Sequence, residues 1–274
     1  MTAAPGRAPA RADESGPVLA RFKDLCLDTV DPHTLGNFWA RILGGGLVDL
    51  RDGDTRVDGR PGHPGPESIW VNRVPEPRTG KTRVHLDLRL DRPDPADLLA
   101  AGARLVREPD AEVGWWVLAD PDGNEFCAFA PRPDRTPAPR PDRTAAPFEP
   151  DRTPAPRPGS TAGPFELVVD ARDAIAQATW WAQVLGGRIE RDADGAASVV
   201  GGAGFPWDYW VFAPVPEPKT AKNRMHWDVE LTGANCTALL DAGATLLREP
   251  DDDIDWWILT DPEGNEFCAF PPPR

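Results

Sequence analysis

The feature that most constrains this chain is an internal repeat. Val74-Pro-Glu-Pro-Arg-Thr-Gly-Lys-Thr-Arg-Val-His85-Leu-Asp87 returns as Val215-Pro-Glu-Pro-Lys-Thr-Ala-Lys-Asn-Arg-Met-His226-Trp-Asp228, an offset of 141 residues. At the same offset Ala101–Asp110 matches Ala242–Asp251, Trp115-Trp116 matches Trp256-Trp257, and Asp120–Phe129 matches Asp261–Phe270 at nine of ten positions. Phe38-Trp39-Ala-Arg-Ile-Leu-Gly-Gly45 aligns with Trp180-Trp181-Ala-Gln-Val-Leu-Gly-Gly187 at an offset of 142. Two copies of one unit are therefore expected. The organisation predicted is a tail over 1–20, a first copy over 21–131, a linker over 132–164 and a second copy over 165–272. The linker repeats PDRT phrases and holds few apolar side chains among its prolines and arginines, so tail and linker are expected to be disordered.

Each copy carries a fainter repeat of its own. Asp24 to Pro32, a helix, then Gly45 to Val48 resembles His85 to Pro93, a helix, then Gly102 to Val106. The pattern in each piece is strand, helix, three strands, with period-2 alternation in the first strand and proline and glycine where helix ends want them. Four βαβββ modules result, an α+β fold.

The pattern LxLD, FWxxxLGG, VPEPKxxKNRxHxDV, LxxAGAxxxREP and WWxLxDPxGNEFCAF resembles the glyoxalase-like branch of the vicinal oxygen chelate superfamily, which includes glyoxalase I, bleomycin-resistance proteins and extradiol dioxygenases. The resemblance covers about 22–131 and 165–272. It implies paired modules whose sheets curl around a shared cavity, with metal ligands, where present, on the first and last strands of a module. Those positions fall on Asp24, Asn72, His85 and Cys127 in the first copy, and on Glu166, Ala213, His226 and Cys268 in the second. Cysteine stands where the family usually has a ligating glutamate, and Ala213 cannot ligate. The cofactor expectation is thus none, or a divalent ion such as zinc in the first copy.

Strand parity gives an independent reading. Leu25 and Leu27 face one way and Asp24, Cys26 and Asp28 the other; Leu86 and Leu88 oppose His85, Asp87 and Arg89; Phe126 and Ala128 oppose Glu125, Cys127 and Phe129. The apolar sets must cover helices, so the polar sets line a concave cleft. His85 beside Asp87, with counterparts His226 and Asp228, suits an oriented acid–base group; a structural histidine is the plainer alternative. Trp70, Trp115, Trp116, Trp210, Trp256 and Trp257 are candidate aromatic walls, and Arg83 a candidate anion clamp or sheet-edge ion pair. Trp39, Trp180 and Trp181, on first helices, are expected in the core.

A net charge of −14 argues against nucleic acid and anionic membranes, and no run approaches 18 apolar residues. Four cysteines without a CxxC, and no apolar leader in the first 20 residues, point to the cytoplasm. The expected partner is a small molecule, with intramolecular pairing of the copies or a homodimer. The expected function is lyase or isomerase chemistry in the first copy's cleft; the alternative is a metal-free protein that binds and sequesters a drug-like molecule.

Overall fold

A computed structural model describes residues 17–59, 62–132 and 159–273. Most of the expected tail and linker (1–16 and 133–158) lies outside the described residues.

All four modules form. The first holds β1 (Ala20–Thr29), α1 (Pro32–Leu43), β2 (Gly46–Asp49), β3 (Thr55–Asp58) and β4 (Ile69–Arg73). The second holds β5 (Val84–Leu90), α2 (Ala96–Ala101), β6 (Arg104–Arg107), β7 (Trp116–Ala119) and β8 (Glu125–Phe129). The second copy repeats them as β9 (Ala162–Ala171), α3 (Ala174–Leu185), β10 (Arg188–Arg191), β11 (Ala197–Val200), β12 (Tyr209–Pro214), and β13 (Met225–Leu231), α4 (Thr237–Asp241), β14 (Thr245–Arg248), β15 (Trp257–Thr260), β16 (Glu266–Phe270). Helix ends follow their local chemistry: Asp31 and Asp173 each accept a hydrogen bond from a first-turn amide, Pro32 opens α1 and Gly44 closes it at φ 62°. Ala162–Pro164, expected in the linker, already belongs to β9.

The modules pair crosswise. One eight-stranded sheet runs β14-β15-β16-β13-β1-β4-β3-β2 and the other β10-β11-β12-β9-β5-β8-β7-β6. Each sheet takes one module from each copy of the repeat, joined antiparallel at β1–β13 and at β5–β9. The ten-residue connections 74–83 and 215–224 carry the chain from one sheet to the other.

On the helix-facing side the strands bury Leu25, Leu27, Leu86, Leu88, Phe126 and their repeats almost completely, as parity predicts. The largest packing knot surrounds Trp181 on α3. Its ring centroid lies 4.7 Å from Trp180, 4.7 Å from Trp210, 5.2 Å from Trp227 and 5.2 Å from Phe267, and its Nε1 donates to Asp261 Oδ2 at 3.2 Å. Asp261 also accepts from Gln177 Nε2 at 2.6 Å and Asn265 Nδ2 at 2.9 Å. The same arrangement recurs with Trp39 and Asp120. So the DPxGN turn, read from sequence only as a hairpin, is also the acceptor that ties each first helix to the second module of its own copy, in the other sheet. Burial raises the Asp120 carboxyl to about 6. At Gly204, φ is 80° and a Cβ would stand 2.3 Å from the Phe22 carbonyl oxygen, so only glycine lets this loop lie against β1.

Candidate functional site

Crosswise pairing builds two concave faces, each from both copies. In the β1/β13 cup, Asp24 lies opposite Asp228 and Cys26 opposite His226, with Cys268 beside Asp228 and Asn72 beside Asp28. In the β5/β9 cup, Asp87 lies opposite Glu166 and His85 opposite Val168, with Cys127 beside Asp87 and Ala213 beside Asp170. The set expected within the first copy, Asp24 and Asn72 with His85 and Cys127, is therefore divided between cups, and so is Glu166 and Ala213 with His226 and Cys268. Asp24 meets His226, Asp228 and Cys268; Glu166 meets His85, Asp87 and Cys127. Both histidines point into their cups with little exposure, 18% for His85 and 12% for His226.

Two of the differences between the cups change their charge. Lys23 in β1 is matched by Phe165 in β9, and Glu230 in β13 by Arg89 in β5. A register shift at each join turns Lys23 and Phe165 out of the simple alternation. Lys23 bonds Asp24, lies 3.5 Å from Asp228 Oδ2, and stands 4.3 Å from the Phe270 ring and 5.6 Å from Trp70. These partners outweigh its burial and raise its pKa. In the other cup the Arg89 guanidinium lies 4.2 Å from the Phe165 ring and 5.1 Å from Phe129. Each aromatic wall thus already holds a cation of the chain itself, a feature that sequence reasoning missed although the differences between aligned copies carried it.

Of the proposed walls, Trp70 faces its cup, and Trp115 and Trp256 stack on the cup-facing Phe129 and Phe270 at 5.0 Å. Trp116 and Trp257 turn to the other side and pack against the core. Trp210 is a correction: it is fully buried, stacked on Phe205 and Phe212, because its true counterpart is Ile69 rather than Trp70. Arg83 is also in neither cup; it donates to the carbonyls of Glu217 and Asp170 at the junction between the sheets, each at 3.0 Å.

The electrostatics favour the β5/β9 cup for proton transfer. His85 Nε2 lies 3.2 Å from Asp87 Oδ1 and 3.7 Å from Cys127 Sγ. Burial pulls the imidazole pKa down, but Asp87 and then Cys127 outweigh it and leave the ring well above the usual histidine range. Burial, with Asp87 facing it, pushes Glu166 up to about 8 against a partial offset from Arg89. Near neutrality the cup therefore presents a protonated imidazole and a neutral carboxylic acid. The Cys127 thiol is raised by burial and stays protonated; burial and Asp228 push Cys268 well up too.

Linkage turns the Glu166 shift into a measurable prediction. Its folded pKa lies above its unfolded value, so the folded state binds the extra proton and loses stability as pH rises from about 4.5 through 8. Glu166→Gln removes that loss. Denaturant unfolding should show the variant gaining on the parent across this window, by a few kcal/mol at pH 9 and little at pH 4; an unchanged gap between the two pH values would refute the buried, neutral Glu166.

Two sets of side chains could hold a metal. Ligand atoms of His85, Asp87 and Cys127 lie within 4.8 Å of one another, as do those of Cys26, His226 and Asp228. Nitrogen, oxygen and sulfur in this combination suit a zinc-type ion. Asp228 Oδ1 is buried without a hydrogen-bond partner among the described residues, whereas Asp87 Oδ1 faces His85 Nε2 at 3.2 Å. In the β1/β13 cup Lys23 already supplies a positive charge, so the His85 set fits better.

The glyoxalase-like domain model matches residues 24–129 and 166–270. The chain belongs to the glyoxalase-like family. It is a two-copy member of the vicinal oxygen chelate superfamily, and solved structures agree on the fold. Glyoxalase I from Zea mays superposes with a TM-score of 0.60 at 15% identity, covering 91% of this chain and 92% of that one. A putative dioxygenase from Bacillus subtilis subsp. subtilis str. 168 gives 0.55 at 12%, covering 94% and 87%. No curated protein matches the chain. Among the described residues no helix is long and apolar enough to cross a membrane.

Proposed function

We propose that the β5/β9 cup is an acid–base site of lyase or isomerase type for a small organic molecule with oxygens on adjacent carbons. The observation that carries this reading is the convergence of His85, Asp87 and a neutral Glu166 on one concave face, drawn from two strands in register. His85 Nε2 donates its proton to a substrate carbonyl oxygen, and the neutral imidazole then takes the proton leaving the neighbouring carbon. An enediol results, and the imidazole ends protonated again. Asp87 holds the ring and balances its charge; Glu166, as a neutral donor, hydrogen-bonds the second oxygen. A zinc-type ion, if held by Asp87, Cys127 and the deprotonated imidazole of His85, would polarise the same oxygens in place of the imidazolium proton.

The test is deuterium exchange into hydroxyacetone and dihydroxyacetone, followed by proton NMR in D2O. The chain should catalyse exchange at the hydroxyl-bearing carbon, and His85→Asn should slow it about 100-fold. The rate should fall as pH rises through about 8, where Glu166 ionises beside Asp87. Exchange at the parent rate in His85→Asn would remove the acid–base assignment.

A second reading attaches to the β1/β13 cup, where Lys23 neutralises Asp24 and Asp228. A cavity of about 270 Å³ opens beside Lys23 and Asp24, bounded by Phe22, Pro66, Gly204 and Glu230. This arrangement suits binding without turnover, and quenching of Trp70 fluorescence by a ligand that undergoes no exchange would identify it.

A further inference from the structure

The repeated VPEP connections meet where the two sheets join, and they enclose a cavity of about 360 Å³ that belongs to neither cup. Its lining holds five cationic side chains, Arg78, Lys81, Arg83, Lys222 and Arg224, in a protein whose net charge is −14. Three carboxylates, Glu76, Asp170 and Glu217, also line it. The lysines are matched: Lys81 bonds Asp170 at 2.7 Å and Lys222 bonds Asp28 at 2.6 Å, with Glu76 at 3.8 Å from Lys222.

Arg83 and Arg224 are poorly matched: Arg83 pairs with no described carboxylate, and Arg224 has only a long ion pair. Arg83 and Arg224 occupy equivalent positions in the two copies, and each reaches across to a backbone carbonyl of the other copy: Arg83 Nη1 to Glu217 and Arg224 Nη1 to Glu76, both at 3.0 Å. Arg224 is only 8% exposed, yet its Nε and Nη2 have no hydrogen-bond partner among the described residues; its nearest carboxylate, Asp122, stands at 3.7 Å. Arg83 Nε is buried and unpartnered too, and no described carboxylate forms an ion pair with Arg83. A buried guanidinium with idle donors carries a large desolvation cost that a second charge-assisted acceptor would offset. Neutral carbonyls satisfy part of each fork, and Asp122, at 3.7 Å from Arg224 without a hydrogen bond, is the one carboxylate paired with either arginine among the described residues.

We propose that this junction cavity binds a small oxyanion carrying two negative charges, of the phosphate or diphosphate class, between Arg83 and Arg224. Two guanidiniums related by the repeat call for a ligand with acceptor oxygens on two sides and a charge near −2. Planar guanidinium forks match tetrahedral oxyanions better than lysine does. Because Lys222 bonds Asp28, and Asp28 Oδ1 lies 4.0 Å from His226 Nδ1, the cavity also abuts the floor of the β1/β13 cup.

Isothermal titration of the full chain with inorganic pyrophosphate, and separately with inorganic phosphate, tests the proposal against potassium chloride at matched ionic strength. One saturable site per chain is expected. Arg83→Gln, half-buried and checked for native circular dichroism, should weaken binding tenfold or more, and Arg224→Lys should do likewise. His85→Asn should leave it unchanged, so this site and the acid–base reading fail separately. No saturable heat beyond that of chloride, binding that survives Arg83→Gln, or binding abolished by His85→Asn would overturn the assignment.

Discussion

Residues 17–132 expressed alone should not yield a folded monomer. In the full chain β1 is bonded to β13 and β5 to β9, so the isolated first copy exposes two long edge strands with buried apolar faces beside them. Such edges are templates for pairing. Because β5 has the sequence pattern of β13, and β9 that of β1, two copies of the fragment can rebuild both joins, β1 of one against β5 of the other. Analytical ultracentrifugation should show a dimer that unfolds before or as it dissociates. Its two cups would be identical, each bringing Asp24, Cys26 and Asn72 of one subunit to His85, Asp87 and Cys127 of the other. A monomeric fragment with native circular dichroism would contradict the crosswise sheets.

Replacing Trp181 with alanine should cost about 3–5 kcal/mol of stability, among the largest single-residue effects in the molecule. The indole is fully buried among four aromatic rings, three of which converge from β12, β13 and β16, strands of both sheets. Its removal leaves a cavity that those rigid rings fill poorly, and it also strips Asp261 of one of its donors. Burial already raises the Asp261 carboxyl, and losing a donor from its charged form should raise it further. Urea unfolding of the two proteins at pH 7 measures the difference. A loss below about 1 kcal/mol would mean that α3 does not anchor the sheets.

Much of this architecture could be read from the chain alone. Strand parity placed Leu86 and Leu88 against helices and His85 and Asp87 on the concave side, because a sheet covered on one face must alternate. The repeat gave four modules. What parity cannot give is partner choice. VHLDLRL and MHWDVEL present the same edge, so β1 fits either strand, and a ligand set grouped by copy is as consistent with the sequence as one grouped crosswise. Trp210 is three residues from Ala213, the counterpart of Asn72, and an odd spacing along a strand puts it on the opposite, helix-facing side. Lys23 and Phe165 escaped notice because a register shift at each join turns them into the cups, out of the simple alternation.

A homodimer of single copies is bound to carry twin pockets, since any substitution enters both at once. Joining two copies in one polypeptide lifts that bond. Here the exchange of Lys23 for Phe165, and of Glu230 for Arg89, is confined to one pocket in each case, so each hollow can specialise while its sibling keeps a different occupation. The inheritance remains mixed, however: each pocket descends half from either copy, and its future changes can arise in both.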